Sequence, residues 1–223
     1  MMDIRGNIAK VAATLPQNVE LLAVTKFHPP GALQEAYDCG LRRFGESRVQ
    51  ELLAKQPHLP SDIRWHFIGH LQSNKVRQII GRVEMIESVD TVRLLNIIDR
   101  ESLRAGVVTN VLLQLHVARE ETKFGFSVDE LTDFFDNRRF EALSAIRICG
   151  LMGMASNTDD HERIVSDFRE ISRCYNHIRN DKRLGLHGFD ILSMGMTNDY
   201  KVAISEGSNH VRIGTAIFGE REY

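Results

Sequence analysis

Residues 189–219 read FDILSMGMTNDYKVAISEGSNHVRIGTAIFG, and this stretch holds two consecutive units of the same design. In each unit a short β-rich run, first Phe189–Leu192 and then Val211–Ile213, is followed by a glycine-containing turn and a predicted helix. Strands that alternate with helices in this way are typical of βα units around a parallel sheet. Val211–Ile213, like the run Arg43–Gly45 earlier in the chain, is so short that only its place in the regular alternation supports it.

Six further runs precede these two along the chain, separated by amphipathic stretches. Apolar residues at helical spacing from Ile164 to Ile178 predict one long helix, and Ser127 followed by Glu130 has the spacing of a capping box. A further stripe within Met1–Leu15 predicts a helix ahead of the first strand. The pattern predicts a single-domain (β/α)8 barrel of the TIM type over residues 1–223, with an extra N-terminal helix. The six runs are Leu21–Thr25, Arg43–Gly45, Trp65–Ile68, Glu84–Ser88, Val111–Val117 and Arg147–Leu151.

The composition narrows the class of protein. Of the 223 residues, 43% are hydrophobic and 26% charged, which is typical of a globular chain and excludes disorder as the main state. The net charge of -2 leaves no positive surplus for a phosphate backbone, so nucleic-acid binding is not expected. No apolar stretch reaches the length of about 18 residues needed to span a membrane. Cys39, Cys149 and Cys174 lie too far apart for a zinc or disulfide motif, and a cytoplasmic location is expected.

Functional groups of such barrels gather where strands end, and Lys26 follows the first run directly. An amine at the mouth of an apolar barrel is suited to form a Schiff base, although an exposed lysine at a strand end is the simpler interpretation. After the last two runs come turns containing Ser193 and Gly214-Thr215. Glycines and hydroxyls before a helix favour phosphate. A lysine facing a phosphate site indicates pyridoxal phosphate.

Six distinctive segments occur along the chain, LLAVTKFHPP at 21–30, FGESRVQEL at 44–52, WHFIGHLQSNK at 65–75, ICGLMGMA at 148–155, LSMGMTNDY at 192–200 and VRIGTAIFG at 211–219. They resemble the pyridoxal-phosphate homeostasis protein family, in the same order from about Glu20 to Gly219. This resemblance implies the barrel fold of the alanine racemase N-terminal domain, known as fold type III of the pyridoxal-phosphate proteins, without the second domain.

Carried over residue by residue, the resemblance implies a Schiff base on Lys26, a phosphate held by Ser193, Gly214 and Thr215, and Arg212 beside the pyridine nitrogen. An arginine there disfavours the protonated ring and weakens the cofactor as an electron sink. The resemblance therefore implies a monomeric, non-catalytic carrier that buffers or delivers pyridoxal 5′-phosphate, with effects on vitamin B6 and amino-acid pools. Apo-enzymes that use the cofactor are the expected partners.

Two positions depart from the family pattern, so contacts from their loops are left open. Ser47 stands where asparagine is usual, and Leu115-His116 stands where Val-Asn is usual.

Other motifs in the chain are weaker. His66 and His70 are four residues apart, but on a strand that spacing covers roughly 13 Å, too far for one metal ion to bridge. The carboxylates of Arg119-Glu120-Glu121 are expected to be only solvated charge, and a strand histidine such as His116 is more often a packed or surface residue.

Two other functions compete with the carrier. A racemase needs a second acid or base opposite the lysine. Of the four tyrosines, Tyr37 and Tyr175 are expected on helices away from the mouth, Tyr223 ends the chain, and Tyr200 is the candidate for that role. Alternatively, the barrel binds a phosphorylated metabolite without any cofactor.

Overall fold

The computed structural model describes residues 3–118 and 124–220. All eight predicted runs form strands, and no strand end differs from its prediction by more than two residues. The strands are β1 (Glu20–Val24), β2 (Arg43–Glu46), β3 (Arg64–Phe67), β4 (Met85–Val89), β5 (Thr109–Leu115), β6 (Ile146–Gly153), β7 (Ile191–Ser193) and β8 (His210–Ile213).

These strands form a closed barrel in which each pairs in parallel with its neighbour in sequence. Closure is made by β1 and β8, whose register places Leu22 opposite Arg212 and Ala23 opposite Ile213. The predicted (β/α)8 barrel is therefore confirmed. Because all strands run the same way, their carboxyl ends form one rim, which we call the mouth, and residues that follow different strands meet there.

Helices cover the outside of the barrel, and their ends follow local sequence signals. The predicted capping box is present, since the Ser127 side chain accepts from the Glu130 N–H and the Glu130 side chain accepts from the Ser127 N–H. The predicted long helix buries Phe168, Ile171 and Ile178 against the sheet. The helices are α1 (Ile4–Ala12), α2 (Pro30–Asp38), α3 (Val49–Lys55), α4 (Val76–Ile79), α5 (Val92–Ala105), α6 (Val128–Asp136), α7 (His161–Asn180), α8 (Tyr200–Ser205) and α9 (Thr215–Phe218).

The extra N-terminal helix is also present. Asp3 caps α1 by accepting from the Gly6 N–H, and the helix packs against α2 and α9. The Asn7 side chain donates to the Ile217 carbonyl over 3.1 Å, which ties α1 to the last helix of the barrel. That one domain extends over all of residues 1–223 stays a prediction.

The three cysteines are free, and Cys149 and Cys174 are buried. Among the described residues, no helix combines the length and apolar character that crossing a bilayer requires.

Candidate functional site

Lys26 lies at the mouth, two residues after the end of β1, and its side chain is half-buried. The next residue, Phe27, has a φ of 69°, a left-handed conformation that is unusual for a residue with a side chain. The chain therefore leaves β1 through a constrained turn at the position where the sequence predicts a reactive amine.

The turn after β7 has a glycine that no other residue can replace without strain. Gly195 has a φ of 91°, and a Cβ there would lie 2.6 Å from the Cβ of Ala203 and 2.7 Å from the Cα of Tyr200. The turn is thus pressed against the start of α8. Two residues later, the Thr197 hydroxyl accepts from the Ala216 N–H over 3.4 Å. This contact joins the turn after β7 to the first turn of α9.

The turn after β8 approaches β1 in the same way. A Cβ on Gly214 would lie 3.2 Å from both the carbonyl oxygen and the Cβ of Val24, the last residue of β1. Thr215 then starts α9. The two predicted phosphate turns and the strand that carries Lys26 therefore meet on one side of the mouth, with Thr197 as a hydroxyl that the sequence interpretation missed.

Arg212 is 4% exposed and lies inside the barrel. Its guanidinium donates to the Ser193 carbonyl over 2.9 Å, to the Ser193 hydroxyl over 2.6 Å and to the Gly153 carbonyl over 3.0 Å. Burial lowers the pKa of Arg212 from its usual value, and the negative charge of Glu87 opposes this effect. An arginine nonetheless remains protonated in proteins, so a fixed cation lies in the barrel interior.

Glu87 supplies the countercharge for this cation. Its carboxylate accepts from the Ser193 hydroxyl over 2.7 Å, lies 2.6 Å from Nδ1 of His66, and lies 3.2 Å from Nε2 of His210. Burial raises the pKa of Glu87, but His210 and His66 outweigh it and hold that pKa well below its usual value. Glu87 thus contacts His66 and His210 on one side and Ser193 on the other, and Ser193 in turn contacts Arg212. We call these five residues the interior network.

His66 carries a second charge of this network. Burial acts to lower the pKa of His66, but hydrogen bonds to Glu84 and Glu87 raise it to about 9. Its ring stacks on that of His210 with centroids 5.5 Å apart. His70, by contrast, lies against Asp90, with Nδ1 2.8 Å from the carboxylate, and stacks on Phe124. The two histidines thus belong to different surroundings and share no site.

The hydroxyl of Ser193 already has two partners, Glu87 and Arg212, and the side chain is fully buried. A phosphate contact by this hydroxyl would require it to leave at least one of them. The predicted phosphate role of Ser193 stays a prediction, whereas its hydrogen bonds place it as the link between Glu87 and Arg212.

The described tyrosines that are candidates for a second base lie away from the mouth. Tyr200 is buried, and its hydroxyl lies 2.8 Å from the Thr14 hydroxyl, next to the N-terminal helix. This placement contradicts the expectation that Tyr200 leans toward the mouth. The hydroxyl of Tyr37 donates to Asp62 on the outside of the barrel, and that of Tyr175 donates to the Phe189 carbonyl over 3.5 Å.

Of the residues that depart from the family pattern, Ser47 and His116 are half-buried and Leu115 is buried. The carbonyl of Ser47 packs against Gly69, where a Cβ would come within 2.2 Å of it. The His116 N–H donates to the Phe126 carbonyl over 2.8 Å. Arg119, Glu120, Glu121, Lys123 and Tyr223 lie outside the described residues.

Comparisons with known proteins show which family and fold this chain shares. The family model described as alanine racemase, N-terminal domain, matches residues 2–222. The pyridoxal phosphate homeostasis protein of Aquifex aeolicus is 38% identical over 92% of this chain and 88% of its own. That of Pseudomonas aeruginosa is 37% identical over 100% of this chain and 98% of its own.

Solved structures show the same fold. The PipY protein of Synechococcus elongatus, with pyridoxal phosphate bound, superposes with a TM-score of 0.89 at 33% identity, over 97% of this chain and all of that one. Alanine racemase from Streptomyces coelicolor superposes with a TM-score of 0.73 at 18% identity, over 97% of this chain and 57% of that one. The second likeness is one of fold alone.

Proposed function

The chain belongs to the family of the alanine racemase N-terminal domain, and from this membership we propose that it binds pyridoxal 5′-phosphate through Lys26 and buffers or delivers it. The observation that carries the proposal is the meeting of three elements at the mouth. These are the amine-bearing turn after β1, the buried cation Arg212 and the turn at Gly214. The pyridoxal phosphate homeostasis proteins and the PipY structure with bound pyridoxal phosphate support it.

The chemistry of these groups fits the proposed ligand. Lys26 supplies the amine for a Schiff base, and Arg212 supplies a fixed positive charge for the ring nitrogen. Gly214 lets the backbone approach closely, while the hydroxyls of Thr215, at the start of α9, and Thr197, in the turn after β7, offer hydrogen bonds to a phosphate. Ser193 contributes by holding Arg212, and its predicted phosphate contact remains part of the proposal.

Bound pyridoxal phosphate acts in enzymes as an electron sink for carbanions. The residues of this chain oppose that use. Arg212 keeps a positive charge where a pyridinium proton would sit, so the ring nitrogen stays unprotonated. Among the described residues, the hydroxyls of Tyr37, Tyr175 and Tyr200 are held by partners away from the mouth. A carrier without efficient catalysis follows from the proposal.

Turnover is therefore expected to be slow or absent. The test incubates the loaded protein with L-alanine and other L-amino acids in heavy water. Exchange of their α-protons should be far slower than about 1 s⁻¹, the lower end of the usual range of kcat for enzymes. NMR follows the α-proton and chiral chromatography follows the D-isomer. Turnover at that rate or faster would contradict the carrier and favour the racemase. Because Tyr200 faces Thr14, a Tyr200→Phe variant should behave like the wild type in this assay.

A phosphate requirement is the second expected result. Pyridoxal 5′-phosphate should bind far more tightly than pyridoxal, because each charge-assisted hydrogen bond to an ionised group is worth on the order of 1.5–3 kcal/mol. The Thr215→Val change should weaken binding about tenfold and leave the absorbance of bound ligand unchanged. Titration calorimetry with both vitamers measures this difference, and the affinity for pyridoxal serves as the control because it should not change. Equal affinities of the wild type for the two vitamers would remove these turns from the site.

An absorbance spectrum separates the proposal from the third candidate, a barrel that binds a phosphorylated metabolite. A Schiff base between the cofactor and a lysine makes the protein yellow, and borohydride removes the colour. A metabolite-binding barrel that forms no such bond would keep no colour once free pyridoxal 5′-phosphate had been removed by gel filtration. We also propose that the protein is a monomer in the cytoplasm and that apo-enzymes accept the cofactor from it. Transfer of bound cofactor to an apo-enzyme, compared with its release into buffer, tests delivery directly.

A further inference from the structure

Two side chains of α3 hold the backbone on both sides of Lys26. On one side, Nζ of Lys55 donates to the Thr25 carbonyl over 2.9 Å. On the other side, the Glu51 carboxylate accepts from the Phe27 N–H, with distances of 3.2 and 3.3 Å to its two oxygens. The two α3 side chains lie one helical turn apart and approach each other to 3.6 Å. One helix therefore fixes both peptide groups that flank the reactive lysine.

A buried ion pair underlies the first of these contacts. Lys55 is 6% exposed and Glu46 is fully buried, and Nζ lies 2.6 Å from the carboxylate. The Thr25 hydroxyl donates to the same carboxylate oxygen over 2.7 Å. Burial raises the pKa of Glu46 to about 7, although Lys55 acts to lower it. Because well-packed apolar residues of similar volume are often at least as stabilising as a buried ion pair, stability alone does not account for this one.

The second contact stabilises a conformation that the chain otherwise avoids. The φ of 69° at Phe27 costs a residue with a Cβ roughly 1 kcal/mol or more. The hydrogen bond that the Phe27 N–H donates to Glu51 offsets part of this cost, and the guanidinium of Arg48, 4.7 Å from the ring centroid, covers the Phe27 side chain. Loss of Glu51 removes the carboxylate that accepts from the Phe27 N–H. The turn then keeps its backbone hydrogen bond from the His28 N–H to the Thr25 carbonyl, but it is held less firmly, and the direction of the Lys26 side chain changes.

We propose that Glu51 and Lys55 are positioning residues that set the rate at which Lys26 captures and releases an aldehyde ligand. The inference rests on the function proposed above for the same site. In capture, the Nζ lone pair of neutral Lys26 forms a bond to the aldehyde carbon, and both amine protons leave with the carbonyl oxygen as one water. Release is the reverse hydrolysis. Such a step is sensitive to geometry, since a misplacement of about 1 Å costs on the order of a hundredfold in rate.

The experiment compares covalent capture with non-covalent binding. Stopped-flow absorbance follows formation of the yellow product with pyridoxal 5′-phosphate. Calorimetry measures the affinity for pyridoxine 5′-phosphate, which has an alcohol in place of the aldehyde. Glu51→Ala should slow capture about tenfold. Its affinity for pyridoxine 5′-phosphate should stay within about twofold of the wild type.

Matched variants separate positioning from folding. Glu51→Gln keeps an oxygen that accepts from the Phe27 N–H and should restore most of the rate. Gln50→Ala, on the exposed side of the same helix, should leave it unchanged. The double variant Glu46→Gln with Lys55→Met removes both buried charges together, which avoids an unpaired one, and should also slow capture.

Each outcome decides the inference. Capture by Glu51→Ala at the wild-type rate overturns it, and so does a parallel loss of affinity for pyridoxine 5′-phosphate, which indicates a general structural role. A wild-type protein that binds pyridoxine 5′-phosphate but never turns yellow with the aldehyde would instead contradict the proposed function, and the inference would fall with it.

Discussion

Replacing Lys26 with alanine is expected to abolish the yellow colour of the protein in pyridoxal 5′-phosphate. Colour that stays with the protein after free ligand has been removed requires a carbon–nitrogen double bond between the ligand and an amine, and Lys26 is the amine that follows β1 at the mouth. The contacts that we propose between the ligand and Thr197, Thr215 and Arg212 do not depend on this amine. The variant should therefore still bind the phosphate form weakly, and absorbance is a better readout than affinity.

A second lysine serves as the control for this result. Lys75 lies in a short helical turn after β3 and is half-buried, as Lys26 is. Lys75→Ala should keep the yellow colour at the wild-type level. If Lys26→Ala kept the colour and Lys75→Ala lost it, the covalent link would be on Lys75, after β3, and our account would be wrong.

The second large effect is expected for Glu87, the carboxylate at the centre of the interior network. Glu87→Leu leaves the cations of Arg212 and His66 buried without their shared anion. Removing one partner from a buried ion pair costs about 3–5 kcal/mol, which is a large part of the stability of an ordinary domain. Urea denaturation followed by circular dichroism should show this loss. Glu35→Gln, which changes an exposed carboxylate on α2, should be close to neutral, and equal effects of the two changes would contradict the account.

The pH dependence of stability tests the same network without a mutation. His66 has a pKa of about 9 in the folded chain and an ordinary value of 6.5. A raised pKa means that the folded state holds the proton more tightly, so the contribution is fully present below pH 6.5. It is lost as the pH rises from 6.5 through 9. The free energy of unfolding should fall across this window, and the fall should be smaller in Glu87→Leu because His66 has lost a partner there.

Much of the fold follows from local patterns in the sequence. Strand β8 is only four residues long, yet its place in the regular alternation was enough to predict it. The capping box at Ser127 and the stripe of α7 are signals that depend on neighbouring residues alone. The positions of Lys26 and of the turn at Gly214 could also be predicted from the sequence, because residues that follow parallel strands must share one rim.

The interior network could not be predicted from local sequence patterns. Its members come from several strands, with His66 on β3, Glu87 on β4 and His210 on β8. Only closure of the barrel brings the ring nitrogens and carboxylate oxygen of these three residues within 4.8 Å of one another. One signal was present in the sequence, since Glu87 directly follows Met85 and Ile86 in a predicted strand, and a carboxylate that is buried there needs a partner. The direction of the Tyr200 hydroxyl depends on how α1 docks, which no local pattern encodes.

Borohydride reduction of the loaded wild-type protein, followed by peptide mapping with mass spectrometry, tests the central claim most directly. Reduction converts the carbon–nitrogen double bond into a stable single bond and marks the lysine that carried the ligand. The account predicts the mark on the peptide that contains Lys26. A mark on Lys75 or Lys123, with Lys26 unmodified, would contradict it.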